Sequence, residues 1–254
     1  MKKIKFKNKN NLTLIGNLYP CNSDTIAILC HGFTSDKNRN QTLARALNQA
    51  KIDAFAFDFS GCGESDDQFI TVENRIDDLK SAIKYIENLQ YKKIVLYGHS
   101  HGSLICLHCY QKKINHIVLT GALIAPIYYD WSKHLTKAQI KTLKEKNELL
   151  YKTKSKWRKT VKINSQTLLD FEQINSKKIL TKIKCPILII HGNNDEEEKQ
   201  LLKNTQTVKK YLPKNSKIII IKEANHSFDH HYDEVIKNIT NAIKNKKLQI
   251  CNFF

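Results

Sequence analysis

The sequence of 254 residues has few of the features that mark secreted, membrane-spanning or multi-domain proteins. No apolar stretch of roughly 7–15 residues follows the lysine-rich amino terminus, so a signal peptide is not expected. The most apolar stretch, residues 116–129, is interrupted by threonine, glycine and proline and falls short of the roughly 18 residues that span a bilayer. With only eight glycines and four prolines there is no Gly/Pro-rich linker, and no repeat is visible. We therefore predict one domain, residues 1–254.

Acidic residues are scarce, since 24 Asp and Glu face 42 Lys and Arg, a formal net charge of +18. Residues 133–184 hold 15 of the basic and 4 of the acidic residues, a local net charge of +11. One basic run interleaves an aromatic residue: Lys152, Lys154, Lys156, Trp157, Arg158 and Lys159. The codons of Lys, Asn and Ile are rich in A and T, so the base composition of the genome can account for part of the basic excess. A solvated basic face is therefore favoured over a nucleic-acid partner. Weak contact with an anionic membrane surface stays open.

Seven scattered cysteines, an odd number in a chain of this size, indicate free thiols in a reducing compartment, and a cytoplasmic location is expected. Cys106 and Cys109 form a C-x-x-C pair, but no second pair follows at zinc-ligand spacing. The segment favours a helix with both sulfurs on one buried face. We predict no metal site.

Short apolar runs alternate with longer amphipathic segments. After an expected hairpin (4–6 and 12–18), runs typical of buried parallel strands cover 26–30, 54–57, 94–97, 117–120, 187–190 and 218–221. Helical spacing covers 41–50, 72–89, 103–112, 196–211 and 232–246. This alternation predicts a doubly wound α/β sheet. Residues 125–184 show no clear strand but two helical pieces (140–151 and 165–174), and predict an inserted helical lid.

The segment Gly98-His99-Ser100-His101-Gly102 satisfies G-x-S-x-G between a predicted strand and a predicted helix. A serine on such a turn adopts a strained backbone conformation that exposes its hydroxyl, and the flanking glycines keep the approach open. Ser100 is therefore the candidate nucleophile. The N–H of His101 is a candidate oxyanion donor, as is that of Phe33, which follows the strand at 26–30.

A serine nucleophile needs a base and a carboxylate that orients the base. His226 follows the last predicted strand, at the edge where a parallel sheet gathers its functional loops. Asp195 follows the strand at 187–190 and gives the chain order Ser, Asp, His. The adjacent Glu196, Glu197 and Glu198 are alternatives, although their position suits the first turn of the next helix.

These segments, with His31-Gly32-Phe33-Thr34 and the run from Phe57 to Ser65, resemble the α/β-hydrolase superfamily. They are most similar to single-domain serine esterases of the cinnamoyl/feruloyl esterase and monoacylglycerol lipase type. The resemblance covers roughly residues 10–246. It implies a mostly parallel eight-stranded sheet with an antiparallel edge, and a two-step acyl transfer without cofactor. It assigns Ser100 as nucleophile, His226 as base, Asp195 as orienting acid, and Phe33 and His101 as oxyanion donors.

The sequence departs from these esterases at Ser103, where another glycine is common, and in its basic lid. Asp130, with Tyr128 beside it, is a weak candidate for binding the phenolic end of an aromatic ester; aromatic packing explains this segment equally well. We expect hydrolysis of small or medium acyl esters. A thioester, a monoglyceride at an anionic membrane surface, or a peptide bond would use the same machinery. A binding protein that has lost activity is disfavoured because all three triad positions are occupied. The oligomeric state is not specified by the sequence.

Overall fold

The computed structural model describes residues 1–153 and 155–244, and within them eight strands form one sheet and two form a separate hairpin. The ten strands are β1 (Lys2–Lys7), β2 (Thr13–Tyr19), β3 (Thr25–Cys30), β4 (Asp53–Phe57), β5 (Lys93–His99), β6 (Ile114–Thr120), β7 (Leu149–Lys152), β8 (Thr160–Ile163), β9 (Ile187–His191) and β10 (Lys217–Ile220). The large sheet has the order β1-β2-β4-β3-β5-β6-β9-β10. Strand β2 runs antiparallel to β1 and β4, and the other pairs are parallel.

Helices cover both faces of this sheet, as the doubly wound prediction requires. They are α1 (Gln41–Gln49), α2 (Val72–Glu87), α3 (His101–His108), α4 (Lys137–Lys146), α5 (Ser165–Leu169), α6 (Ser176–Leu180), α7 (Glu196–Val208) and α8 (Tyr232–Lys244). Helices α1 and α8 bury Leu43, Leu47, Val235 and Ile239 against one face. Helices α2, α3 and α7 pack in the core on the other. The predicted end of the last helix, Lys246, lies outside the described residues.

The continuous apolar runs become strands because both of their faces are covered. Every residue of β4 and β9 is buried, which matches the near-continuous hydrophobicity expected of central parallel strands. The carboxyl ends of β3, β5, β6, β9 and β10 meet at one edge, so the loops that follow these strands come together there. All the candidate catalytic residues lie in or beside those loops.

The segment between β6 and β9 differs from the expectation of a purely helical insertion. It contains α4, α5 and α6, but the antiparallel hairpin of β7 and β8 lies between them. Leu149, Val161 and Ile163 of this hairpin pack on Cys62 and Ile70, outside the central sheet. The expectation that residues 125–184 contain no strand is therefore wrong, because a two-stranded hairpin with one buried face shows too few alternating positions to be recognised.

The cysteines of the described residues are free thiols, and all but the half-buried Cys21 are buried. Cys106 lies in α3 and Cys109 at its end, both buried in the core, as the packing interpretation predicts. Over residues 1–153 and 155–244, no helix combines the length and the apolar character needed to cross a membrane.

Candidate active site

Ser100 occupies a strained turn between β5 and α3. Its backbone has φ 52° and ψ −124°, a conformation that L-amino acids rarely adopt. The Ser100 N–H donates to the carbonyl oxygen of Thr120 at the end of β6 (2.9 Å), which fixes the turn to the neighbouring strand. A Cβ at Gly98 would collide with the backbone of Gly102, so strand and helix approach this closely only because position 98 is glycine. The predicted strand-to-helix turn is therefore present.

Ser103 lies where the esterases that the sequence resembles often have another glycine, and it connects this turn to the next loop. Its hydroxyl donates to the Ser100 carbonyl oxygen (2.5 Å) and accepts from the Leu123 N–H (2.8 Å). The side chain is fully buried. A glycine at this position makes neither hydrogen bond, so here the turn has a side-chain support of its own.

The imidazole of His226 lies in the loop after β10 and is held by a glutamate. Its Nδ1 is 2.7 Å from Oε2 of Glu198, in the first turn of α7. The expectation that Asp195 contacts the imidazole ring is therefore wrong, and one of the alternatives adjacent to it takes that position. Gly121 makes room for the pair, since a Cβ there would meet both the His226 ring and Glu198.

Asp195 is occupied with backbone groups. It is the N-cap residue of α7, and its Oδ1 accepts from the Glu198 N–H (2.7 Å), while its Oδ2 accepts from the His226 N–H (2.6 Å). Capping by an aspartate, with a glutamate three residues later, is the usual sequence signature of a helix start. That Asp-x-x-Glu spacing was the signal in the sequence that points away from Asp195 as the partner of the ring.

The Glu198 carboxylate is fully buried and shared by two histidines. Its Oε1 accepts from Nδ1 of His191 (2.7 Å) and from the Gly192 N–H (3.0 Å), while Oε2 faces His226. Burial alone raises the pKa of Glu198, but the hydrogen bonds from the two imidazoles outweigh it and lower the pKa to about 2. A charged Glu198 fixes the proton of His226 on Nδ1, which leaves Nε2 as the atom that can accept a proton.

The pKa of His226 responds to two opposing influences. Burial lowers it, but the hydrogen bond to Glu198 and the charges of Glu197, Glu198 and Asp195 raise it, and the net pKa lies above the ordinary value. The ring of His99 packs against His226 with 4.9 Å between ring centroids and contacts Thr120 Oγ1 through Nδ1 (3.1 Å). Burial lowers the pKa of His99 to about 3, so this second imidazole is neutral and adds no competing charge.

The loop after β3 brings Gly32 and Phe33 to the same place. A Cβ at Gly32 would lie 3.4 Å from the Cβ of Ser100, so the loop backbone passes directly beside the serine. The Phe33 ring packs edge-on against Phe171 with 5.4 Å between centroids. His101, at the start of α3, is buried. The structure thus brings Ser100, His226, Phe33 and His101 together as the sequence predicts.

Phe33, Ser100 and His226 line a cavity of about 790 Å³, and His101 is buried next to Phe33 with 6.0 Å between ring centroids. His99, Ser100 and His226 form part of its wall, and the connection between β7 and β8 closes another side with residues that include Thr153, Ser155, Lys156 and Trp157. Basic side chains on the wall are Arg39, Lys152 and Lys156; the acidic ones are Asp36 and Glu197.

Asp130 and Tyr128, the weak substrate-binding candidates, do not line this cavity. Asp130 caps a short 3-10 turn, where its carboxylate accepts from the Ser132 N–H and hydroxyl. The Tyr128 side chain is 76% exposed. The neighbouring Tyr129 and Trp131 pack on each other and on Phe171. This packing supports the aromatic alternative, and a substrate-binding role for Asp130 and Tyr128 stays a prediction.

Comparisons with known proteins agree with the resemblance found in the sequence. Residues 22–230 match the family model of serine aminopeptidase S33.

The structure of Est1E from Butyrivibrio proteoclasticus with ferulic acid bound is 19% identical, with a TM-score of 0.74 over 94% of this chain and 97% of that chain. An esterase from Pyrococcus furiosus is 21% identical, with a TM-score of 0.70 over 96% and 90% of the two chains. An esterase from Exiguobacterium antarcticum is 15% identical, with a TM-score of 0.73 over 96% and 100%. No curated protein gives a significant sequence match. At these identities the structural matches establish the α/β-hydrolase fold.

Proposed function

The chain belongs to the serine aminopeptidase S33 family, and we propose that it is a serine hydrolase that cleaves carboxylic esters of small to medium acyl groups. One observation carries the proposal. A strained, cavity-lining Ser100 shares its wall with His226, whose Nδ1 is held by the buried carboxylate of Glu198. Nucleophile, base and orienting acid are the three groups that acyl transfer by serine requires.

In the first step Ser100 Oγ attacks the ester carbonyl while His226 Nε2 takes the hydroxyl proton. The carbonyl electron pair moves to oxygen, where the N–H groups of Phe33 and His101 stabilise the negative charge. The charge of Glu198 stabilises the imidazolium. When the tetrahedral intermediate collapses, the proton passes from His226 to the leaving alcohol, and an ester of Ser100 remains. Water, deprotonated by His226, then releases the acid and regenerates the serine.

Cavity size and wall charges support a small-molecule ester. A volume of about 790 Å³ is in the range that holds a small ligand. We propose that residues 125–184 form a lid over the serine, since the connection of its hairpin lines the cavity. Peptide hydrolysis at a free amino terminus remains the alternative, because an ammonium group would find Glu197 on the wall; the cations Arg39, Lys152 and Lys156 oppose it.

A substrate panel tests the ester assignment. We expect the best 4-nitrophenyl ester among the acetate, butyrate, octanoate and laurate to have a kcat/KM at least about tenfold above leucine 4-nitroanilide, a difference of about 1.4 kcal/mol in activation free energy. A fluorophosphonate is expected to label Ser100, as located by peptide mass spectrometry. If the label forms while no ester is cleaved, the serine is reactive but the ester assignment is wrong. If the anilide is preferred, the chain acts as a peptidase.

A second candidate, action at an anionic membrane surface, is favoured by the exposed side of the hairpin. Trp157, which lines the cavity, is 59% exposed, and Leu150 in β7 is 55% exposed. Lys152, Lys156 and Lys159 are exposed around them, and Lys154 of the same run lies outside the described residues. An aromatic residue among cations is the composition that binds the headgroup region of anionic membranes.

Vesicle sedimentation tests this candidate. The variant K152Q/K156Q/K159Q is expected to bind phosphatidylserine vesicles about 100-fold more weakly at low salt, since each lysine near the surface contributes about 1 kcal/mol. The matched control K93Q/K112Q/K214Q removes the same charge near the amino ends of β5, β6 and β10, at the opposite edge of the sheet, and is expected to bind nearly as the wild type. If both variants lose vesicle binding equally, or if the wild type does not bind vesicles, the membrane candidate is wrong and the hairpin only covers the cavity.

A further inference from the structure

Arg75 in α2 is a fully buried arginine that lies beneath the loop beside Ser100. Its Nη1 donates to the Gly32 carbonyl oxygen (3.3 Å) and contacts Nδ1 of His101 (3.0 Å). Its Nη2 contacts the Cys62 sulfur (3.4 Å), and its guanidinium lies 4.8 Å from the centroid of the Phe59 ring. The Gly32 carbonyl belongs to the same peptide group as the Phe33 N–H, and His101 carries the other proposed oxyanion donor.

The positive charge of this guanidinium is not neutralised by direct contact. Within residues 1–153 and 155–244 no carboxylate forms a salt bridge with it, and its Nε has no hydrogen-bond partner. Asp78, one turn further along α2, is buried too and the Arg75 charge acts to lower its pKa, but its carboxylate accepts from Asn8 and Ser60 and forms no salt bridge with Arg75. A buried guanidinium without a directly bonded carboxylate has a desolvation cost that the neighbouring Asp78 offsets only in part, and this points to a function of the charge itself.

The contact with Gly32 acts through one peptide group. In a trans peptide the C=O of Gly32 and the N–H of Phe33 point in opposite directions, and the chain has no cis bond in its described part. A cation on the carbonyl oxygen therefore orients the Phe33 N–H away from Arg75, and it also polarises the amide so that this N–H carries more positive charge. His31 supports the same carbonyl oxygen through Nδ1 (2.9 Å).

The contact with His101 fixes the other proposed donor. Burial and the nearby Arg75 charge hold the pKa of His101 well below its ordinary value, so the ring is neutral and its Nδ1 accepts from the guanidinium. Holding this ring fixes the first residue of α3, whose N–H faces the oxyanion in the proposed mechanism. One buried cation is thus connected to both donors.

We propose that Arg75 is a positioning residue of the oxyanion site: it aligns the Phe33 and His101 N–H groups, and its buried charge stabilises the negative charge that develops on the substrate oxygen. The inference rests on the proposed serine hydrolase function. Interactions that are stronger in the transition state than in the ground state raise kcat with little effect on substrate binding. Loss of Arg75 should therefore lower kcat and leave KM nearly unchanged.

The test compares R75M, R75Q and R75K with the wild type on one 4-nitrophenyl ester, with rates divided by the fraction of serines titrated by a fluorophosphonate. We expect R75M to lower kcat about 30-fold with KM changed less than about threefold, in the range seen when a residue supporting a site is removed. R75K, which keeps the charge, should fall between wild type and R75M. R45M removes an exposed arginine of α1 and should leave kcat unchanged.

A trifluoromethyl ketone separates positioning from general destabilisation. Ser100 adds to its carbonyl carbon, the carbonyl electron pair becomes an oxyanion and the serine proton moves to His226, so its affinity reports the oxyanion site. We expect R75M to weaken it about 30-fold and a neutral product alcohol, which places no negative charge in the oxyanion site, less than about threefold. Equal weakening of both ligands, or an unchanged kcat, would overturn the proposal. If R75M does not fold, R75K and R75Q carry the comparison, and equal losses in these two overturn the role of the charge. Failure of the wild type to cleave any ester would instead refute the proposed function.

Discussion

Replacing Ser100 by alanine is expected to lower kcat on a 4-nitrophenyl ester at least about 10³-fold, the largest effect of any single substitution in the chain. Alanine removes the attacking oxygen but leaves the cavity, His226 and the N–H donors in place, so only water attack on bound ester remains. KM should change little. Stopped-time assays with protein whose folding is verified by circular dichroism measure the loss. Undiminished hydrolysis by S100A would exclude Ser100 as the nucleophile.

The same position offers a stability test, because the strain at Ser100 belongs to the backbone. Glycine adopts a φ of 52° without the steric cost that a Cβ imposes, whereas alanine keeps that cost. S100G should therefore be inactive and about 1 kcal/mol more stable than S100A, which corresponds to a Tm about 2–4 °C higher for a chain of this size. A Tm of S100G below that of S100A, as the larger unfolded-state entropy of glycine alone would give, would mean that the turn is not strained in solution.

The second large effect is expected at Glu198. In E198Q the amide nitrogen cannot accept a hydrogen bond from a histidine, so one of His191 and His226 loses its acceptor, and the imidazolium loses a stabilising charge. We expect kcat to fall about 10³-fold. D195N is the comparison variant: its amide oxygen can still cap α7, but its amide nitrogen cannot accept from the His226 N–H, so a fall of about tenfold, smaller than that in E198Q, is expected. A large loss in D195N with a small one in E198Q would restore Asp195 as the orienting acid.

The pH dependence should change in a defined direction. His226 accepts a proton only when neutral, so kcat/KM of the wild type should fall as the pH drops through the raised pKa of His226. Glu198, with its pKa of about 2, stays charged throughout this range. In E198Q the main raising influence is gone while burial still lowers the pKa of His226, so the acidic limb should move to lower pH. Profiles of kcat/KM from about pH 5 to 9 measure the shift. A limb that stays in place would contradict the Glu198–His226 interaction.

The central sheet could be predicted from the sequence because its strands are buried on both faces and therefore appear as uninterrupted apolar runs. The hairpin of β7 and β8 could not. Each of its strands has four residues, and in β7 Leu149 is buried while Leu150 next to it is exposed. This short alternation closely follows α4, whose apolar residues recur at helical spacing. The predicted helical piece at 140–151 therefore wrongly included most of β7.

Site residues could be predicted from the sequence where they follow a strand that the sequence marks clearly. Ser100 and His226 are fixed by the ends of strands, which the sequence marks clearly. The start of α7 at Glu196 agrees with the predicted helix, but which carboxylate near that start faces the imidazole depends on how α7 is oriented toward the loop after β10, which the sequence does not specify. Arg75 gave no signal, because a charged residue on an amphipathic helix is normally solvent-exposed. Its burial follows from the tertiary packing of Phe59 and the loop at Gly32 over α2.

The two oxygens of Asp195 have a mechanical consequence. One holds the backbone of Glu198 and the other the backbone of His226, so helix α7 and the loop after β10 are joined at a single point directly behind the reacting groups. When thermal motion displaces α7 relative to the sheet, the loop is carried with it, and the carboxylate and the imidazole keep their separation. In the proposed mechanism this link keeps Glu198 and His226 aligned for proton transfer, and we expect the alignment to depend little on movements of the surrounding elements.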